Sequence, residues 1–338
     1  ENATKGMNSY VITAYNESGA GKRVDVSAFV GNDTPSAPLN ITASGNEDGT
    51  LKLSWTAPEK GKNGGYINKS QLSYSAYTVD DEGYADLYEE NIKGNSVSLA
   101  ELDNTGEQRF EFFGVQAVNK DGESDIMPSN SVIMGDAYTL PFADSFANGE
   151  LAYGIWYSER NGANGFALND LTSADNDGGC ISFQAAEANA IASFCSGKIA
   201  LNGCNSPVLT FDYYCNPGSE DILFAEINRA YIDTTVVKTI NFTQETGVAG
   251  WRHVVVSLQQ FKSAPYIQLV FLSQIAKADN AVMIDNIKIE NNPELSVNDI
   301  MVDAAKDKNV YDIVGRRQKS TGLHNGIYIK EGKKIVVK

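Results

Sequence analysis

The sequence predicts an all-β protein: tandem β-sandwiches followed by a small C-terminal β meander. Three observations carry this. Helix-period patterns are nearly absent, while short alternating or β-branched runs recur between Gly, Asn, Asp and Pro, as in sandwiches. A strand–turn–strand segment near the start is repeated about 100 residues later, a period that suits tandem sandwich domains. The last residues read strand, glycine turn, strand, glycine turn, strand.

Composition fits this class. The chain has 338 residues, 42% of them hydrophobic and 21% charged, enough apolar material for real cores. At about 150 residues per domain, two or three domains are expected. The formal net charge of −16 argues against nucleic acid and anionic membrane as partners, since both select a basic footprint. No apolar run approaches the roughly 18 residues of a membrane span. The chain opens on Glu1-Asn2-Ala3 without a signal peptide, so any export signal is expected to lie outside it.

The repeat fixes the first boundaries. Tyr10-Val11-Ile12-Thr13-Ala14-Tyr15-Asn16-Glu17-Ser18-Gly19 matches Phe113-Gly114-Val115-Gln116-Ala117-Val118-Asn119-Lys120-Asp121-Gly122. Each copy is a strand ending in Asn, a polar turn carrying Gly, and a return strand that ends at Gly31 or Gly135. The segment from Pro35 to Gly135 resembles a fibronectin type III domain. The resemblance rests on Pro35-Ser36-Ala37-Pro38, on Leu53-Ser54-Trp55-Thr56-Ala57-Pro58 as its strand B, and on Val97-Ser98-Leu99-Ala100-Glu101-Leu102 before strand F. Val115-Gln116-Ala117-Val118-Asn119-Lys120-Asp121-Gly122 is similar to its F–G hairpin. The domain is assigned to residues 35–136 and is expected to act as a spacer. Residues 1–34 resemble only the last two strands of a preceding copy, and an isolated hairpin is marginal in water.

Residues 137–293 form a different β domain. It opens on Leu140-Pro141-Phe142-Ala143-Asp144-Ser145-Phe146 near Trp156 and closes with Val282-Met283-Ile284-Asp285-Asn286-Ile287-Lys288-Ile289. These features resemble the MAM-like jelly rolls of Bacteroidetes surface proteins, which include the cleaved-adhesin domains of gingipains. That resemblance implies a structural calcium site. Calcium takes six to eight oxygens from carboxylates, amides and carbonyls. The candidate ligands are Asp144, Asp175 and Asp177 of the Asp175-Asn176-Asp177-Gly178-Gly179 loop, and Asp285. Such an ion would pin the two chain ends of the jelly roll together. The alternative is an acidic turn with Asp285 at a strand end.

The last segment, residues 294–338, contains Val310-Tyr311-Asp312-Ile313-Val314-Gly315-Arg316, Gly326-Ile327-Tyr328-Ile329 and a basic final strand from Lys334 to Lys338. It resembles the C-terminal sorting module of the type IX secretion (Por) system of Bacteroidetes. The resemblance implies recognition by the secretion machinery and a location outside the cell or on the surface of a Gram-negative bacterium. Arg316, Arg317, Lys319 and the lysines from Lys330 onward form the basic region of an acidic chain. A solvated tail face is the alternative.

Cys180, Cys195, Cys204 and Cys215 are clustered, at spacings that match no zinc pair. Either one or two disulfides or buried free thiols are open readings. The histidines, His253 and His324, lie in no nucleophile-elbow or papain-like context, and neither a Walker loop nor an HExxH motif occurs. The chain is therefore read as non-catalytic. Exposed aromatics are the functional lead, because ring faces bind sugars and anchor protein contacts. Trp156, Tyr157 and Tyr214 are the candidate ligand-binding residues. Tyr213 and Tyr214 are adjacent in one strand, so one of them faces outward. Ordinary core and scattered surface tyrosine is the competing reading. The expected function is a surface adhesin or binding protein whose jelly roll takes a host or microbial surface glycan or protein. The alternative is the accessory C-terminal region of a larger secreted protease or glycanase.

Overall fold

The computed structural model describes residues 3–80, 83–159, 163–296, 310–312, 317–318, 323, 326–330 and 333–337. Arg316, Lys319, His324 and Lys338 of the basic tail lie outside the described residues. The described chain is almost entirely β and divides into two compact units, the first holding residues 1–45, 50–103 and 110–134, the second 46–49, 104–109 and 135–338. No helix among the described residues is long and apolar enough to cross a membrane.

In the first unit the strands are β1 (Gly6–Ile12), β2 (Tyr15–Asn16), β3 (Gly19–Ala20), β4 (Val24–Val30), β5 (Leu39–Gly45), β6 (Leu51–Thr56), β7 (Ser73–Val79), β8 (Ala85–Ile92), β9 (Ser96–Ser98), β10 (Arg109–Asn119), β11 (Gly122–Glu123), β12 (Met127–Pro128) and β13 (Val132–Met134). β1 and β4 form an antiparallel hairpin, with β2 and β3 pairing at its tip. The remaining strands make a sandwich. One sheet runs β5-β6-β9 and the other β11-β10-β7-β8, with β12 and β13 also on β10. The alternation in β6 decides its sides: Leu51, Leu53 and Trp55 are buried while Lys52 and Thr56 are exposed. Trp55 meets Tyr74 of the other sheet at a ring-centroid distance of 5.1 Å. Phe113, Val115 and Ala117 of β10 complete this core.

The second unit continues with β14 (Phe142–Asp144), β15 (Trp156–Glu159), β16 (Ala167–Asn169), β17 (Cys180–Gln184), β18 (Ala190–Ser196), β19 (Pro207–Cys215), β20 (Ile222–Arg229), β21 (Asp233–Asn241), β22 (Gly250–Ser257), β23 (Ile267–Ile275) and β24 (Ala281–Asn291). Tail strands follow: β25 (Val310–Asp312), β26 (Arg317–Gln318), β27 (Gly326–Lys330) and β28 (Lys333–Val337). A six-stranded sheet runs β16-β17-β24-β19-β22, with β14 on β24. The second sheet runs β15-β18-β23-β20-β21 and is extended by β28-β27-β25-β26, where Lys333 pairs with Thr235. The core between the sheets includes Phe183, Phe211, Phe271, Ile284 and Ile289, all 0% exposed. The meander read from the tail is thus joined to the second sandwich as added strands.

All four cysteines are buried free thiols. Burial raises the pKa of each thiol for which a shift is resolved: Cys180, also raised by Asp285 and Asp177, is pushed up to about 12, and Cys204 and Cys215 shift upward as well.

Candidate functional site

The closing strand β24 is irregular in a way its sequence requires. Val282, Ile284, Ile287 and Ile289 all point into the core. A regular strand alternates with period 2, so Ile284 and Ile287 share a side only if one extra residue is absorbed between them. The pairing with β19 does this: Thr210 opposes Lys288, but Asp212 opposes Asp285. Asn286 takes the extra turn at φ 50°, a left-handed conformation that asparagine tolerates. The bulge presents Asp285 and Asn286 in succession at the outer side of the six-stranded sheet.

Asp285 is fully buried and meets the loop between β16 and β17. Its Oδ2 accepts from the Ala174 amide at 2.7 Å and its Oδ1 from the Asn286 amide at 2.7 Å. Its carboxyl lies within 4.8 Å of those of Asp175 and Asp177. Burial, with those two like charges adding to it, pushes Asp285 up to about 6. Asp177 Oδ1 is buried and lacks a hydrogen-bond partner. Loop geometry is tight: Asp177 N donates to Asp175 Oδ1 at 3.2 Å and Gly178 N to Ser173 Oγ at 3.2 Å. Gly179 is obligatory here, because a Cβ would fall 1.6 Å from the Phe146 carbonyl oxygen. Among the described residues no salt bridge reaches any of the three carboxylates. Three converging hard oxygen donors, one with a buried oxygen left unpaired, fit a divalent cation such as calcium.

Asp144, the fourth acid read from the sequence, is elsewhere. Its Oδ1 accepts from the Phe146 amide at 2.9 Å. Its Oδ2 accepts from the Ala152 amide at 2.9 Å and from Trp156 Nε1 at 2.8 Å. Burial raises its pKa while these three donors lower it. The carboxylate is consumed in ordering the opening loop and does not join the acidic cluster.

The three aromatic candidates also separate. Trp156 is in the core, stacked on Phe194 with ring centroids 4.7 Å apart, because its indole follows Asp144 inward. It offers no exposed ring face, which corrects the sequence expectation. Tyr157, half-buried, lies on β15 and pairs in register with Cys195 of the neighbouring strand β18, and burial pushes its hydroxyl far up. Tyr74 of the first sandwich is likewise core.

Tyr214 does face outward. Tyr213 turns in and stacks on Phe242, with ring centroids 5.8 Å apart. Tyr214 sits opposite Trp251 on β22, and the two half-buried rings meet edge-on at 5.6 Å. The next outward pair along the same strands is Asp212 and His253. His253 Nδ1 lies 2.7 Å from Asp212 Oδ1, and Asp212 Oδ2 accepts from Asn286 Nδ2 at 2.9 Å. One row therefore runs from an aromatic pair through three planar polar side chains to the acidic cluster. Sequence reasoning missed Trp251, His253, Asp212 and Asn286 as members of this row. The signals were there: the i, i+2 spacing of Asp212 and Tyr214, the same spacing of Trp251 and His253, and the isoleucine spacing around Asn286.

No family model matches the chain, and no curated protein matches it by sequence. Solved structures resemble it at low identity. The K1 cleaved adhesin domain of Lys-gingipain from Porphyromonas gingivalis W83 is 16% identical over 45% of this chain and 98% of that one, at a TM-score of 0.36. A family 61 carbohydrate-binding module solved with β-1,4-galactotriose is 12% identical over 44% and 94%, at 0.34. The C-terminal family 22 carbohydrate-binding module from Clostridium thermocellum is 12% identical over 45% and 94%, at 0.32. At TM-scores below 0.5 these likenesses carry no weight on function.

Proposed function

We propose that this chain is a non-catalytic binding protein whose second sandwich takes a carbohydrate on the row Tyr214–Trp251–Asp212–His253–Asn286. The observation that carries the reading is the outward Tyr214–Trp251 pair, continuous with three polar side chains already oriented by one another. Sugars present an apolar C–H face beside a rim of hydroxyls. A ring for the face and planar acceptors and donors for the rim match that pattern, and pre-orientation lowers the entropic cost of binding. The first unit serves as a spacer. Export to the cell surface through residues 294–338 belongs to the same reading, supported by the resemblance of the tail to a secretion-sorting module.

A glycan array probed with the full chain, followed by calorimetry on the hits, tests it. Trp251→Ala is expected to weaken the best glycan at least about tenfold, in line with loss of an aromatic anchor. Binding that Trp251→Ala and Tyr214→Ala leave unchanged would place the ligand elsewhere. An empty array together with capture of a matrix protein would replace the sugar with a protein partner.

The same proposal includes calcium at Asp175, Asp177 and Asp285, where it would neutralise the converging carboxylates and tie the 173–179 loop to β24. Its role is structural. A melting temperature insensitive to EDTA and to added calcium would remove it.

A further inference from the structure

The N-terminal hairpin presents half of a core. Register places Tyr10 opposite Val26, Ile12 opposite Val24 and Asn8 opposite Ala28 on one face. The other face carries the Ser9–Ser27 hydroxyl pair between two further pairs, Val11 opposite Asp25 and Met7 opposite Phe29, so the repeat, not polarity alone, singles out the first face. On the apolar face Tyr10 is 39% exposed, Ile12 56%, Val24 51% and Val26 36%.

The internal repeat says what this face is built for. Tyr10, Ile12 and Ala14 occupy the positions of Phe113, Val115 and Ala117, which are 1%, 0% and 0% exposed in β10. The same residue pattern is buried in one copy and open in the other. An edge differs too. β10 carries β7 beside it, whereas β1 pairs only with β4 among the described residues. The strands that complete the core around β10 come from chain that precedes it: β5, β6, β7 and β9. A two-stranded ribbon with a bare apolar face is not independently stable in water.

We infer that the Tyr10–Ile12–Val24–Val26 face is an interaction surface for an apolar β-sheet supplied by chain N-terminal to Glu1, with a further strand pairing along the free edge of β1. The hairpin then closes a preceding sandwich of the same protein. A second copy of this chain fits less well. It offers another two-stranded hairpin and no counterpart of the three-stranded sheet that faces β10. The inference concerns the first unit and is independent of the carbohydrate reading.

The test compares the 338-residue chain with the chain extended by the codons that precede Glu1 in its gene. Hydrogen exchange is followed at the amides of 7–12 and 24–30. In the extended chain these amides are expected to exchange at least about 100-fold more slowly, as core strands do relative to frayed ends. Ile12→Val is expected to lower the first melting transition of the extended chain and to leave the 338-residue chain unchanged. Equal exchange in both chains overturns the inference. So does a gene in which a cleaved leader ends directly at Glu1. A 338-residue chain that dimerises with the hairpin protected would instead make the second copy the occupant.

Discussion

The strand that opens the second sandwich, β14, and the strand that closes it, β24, each bury an aspartate, and they use it in opposite ways. Asp144 is surrounded by donors: two amides and an indole N–H. Asp285 receives two amides and faces two further carboxylates. Burial alone therefore does not make a cation site. A carboxylate whose lone pairs are spoken for is a structural brace. One held against like charges lacks a counterion, and a proton or a cation must supply it.

The largest effect is expected at the brace. Asp144→Ala strands the Trp156 N–H and the Phe146 amide in the core and frees the Ala152 amide, and should cost about 3 kcal/mol, read as a lower denaturation midpoint. That loss should be the same with calcium and with EDTA. Next comes the metal. Saturating calcium should raise the melting temperature of the second unit by roughly 5–10 °C, the scale of 2–3 kcal/mol for a domain of this size. Asp285→Asn should abolish that rise. A calcium response retained in Asp285→Asn and lost in Asp144→Asn would invert the comparison.

The pH dependence follows from the same carboxylate. Asp285 is raised to about 6 in the folded chain, above its unfolded value. A raised carboxyl contributes stability that is fully present below the unfolded pKa, near 4, and is lost as pH rises through about 6. In EDTA the second unit should therefore lose on the order of 2 kcal/mol between pH 4 and 7 from this group. With calcium the loss should shrink, because the ion competes with the proton for the same oxygens. A calcium-induced stabilisation that does not grow from pH 5 to 7 would remove Asp285 from the site. The smallest effect belongs to the bulge: Asn286→Ala loses the bond to Asp212 and adds strain at φ 50°, for about 1–2 kcal/mol.

Much of the architecture was legible because it rests on parity. The alternation of Leu51, Leu53 and Trp55 marks a half-buried strand, and the adjacency of Tyr213 and Tyr214 forces one ring outward. The sequence Ile284-Asp285-Asn286-Ile287 carries its bulge in the spacing of its isoleucines. The grouping of Asp175, Asp177 and Asp285 joins residues far apart in the chain. The resemblance could suggest that grouping, and only the fold brings it about. Trp156 was misread because nothing local distinguishes an indole that follows a buried carboxylate inward from one left in a loop. Asp144 was misread for the matching reason: its partners are amides, and amides leave no mark in a sequence. Trp251 stayed hidden because its pairing with Tyr214 depends on the register between β19 and β22.

The four buried thiols have a practical consequence for handling the protein. With no disulfide among them, the native state owes nothing to an oxidant, and reductant should leave it intact. At Cys180, Cys204 and Cys215 burial raises the thiol pKa and keeps the reactive thiolate scarce as long as the core stays closed. Once the core opens in aerated solution, four exposed thiols on one chain can cross-link in pairings the fold never forms. Unfolding under those conditions becomes irreversible, and a refolding yield measured without reductant reports chemistry in place of thermodynamics.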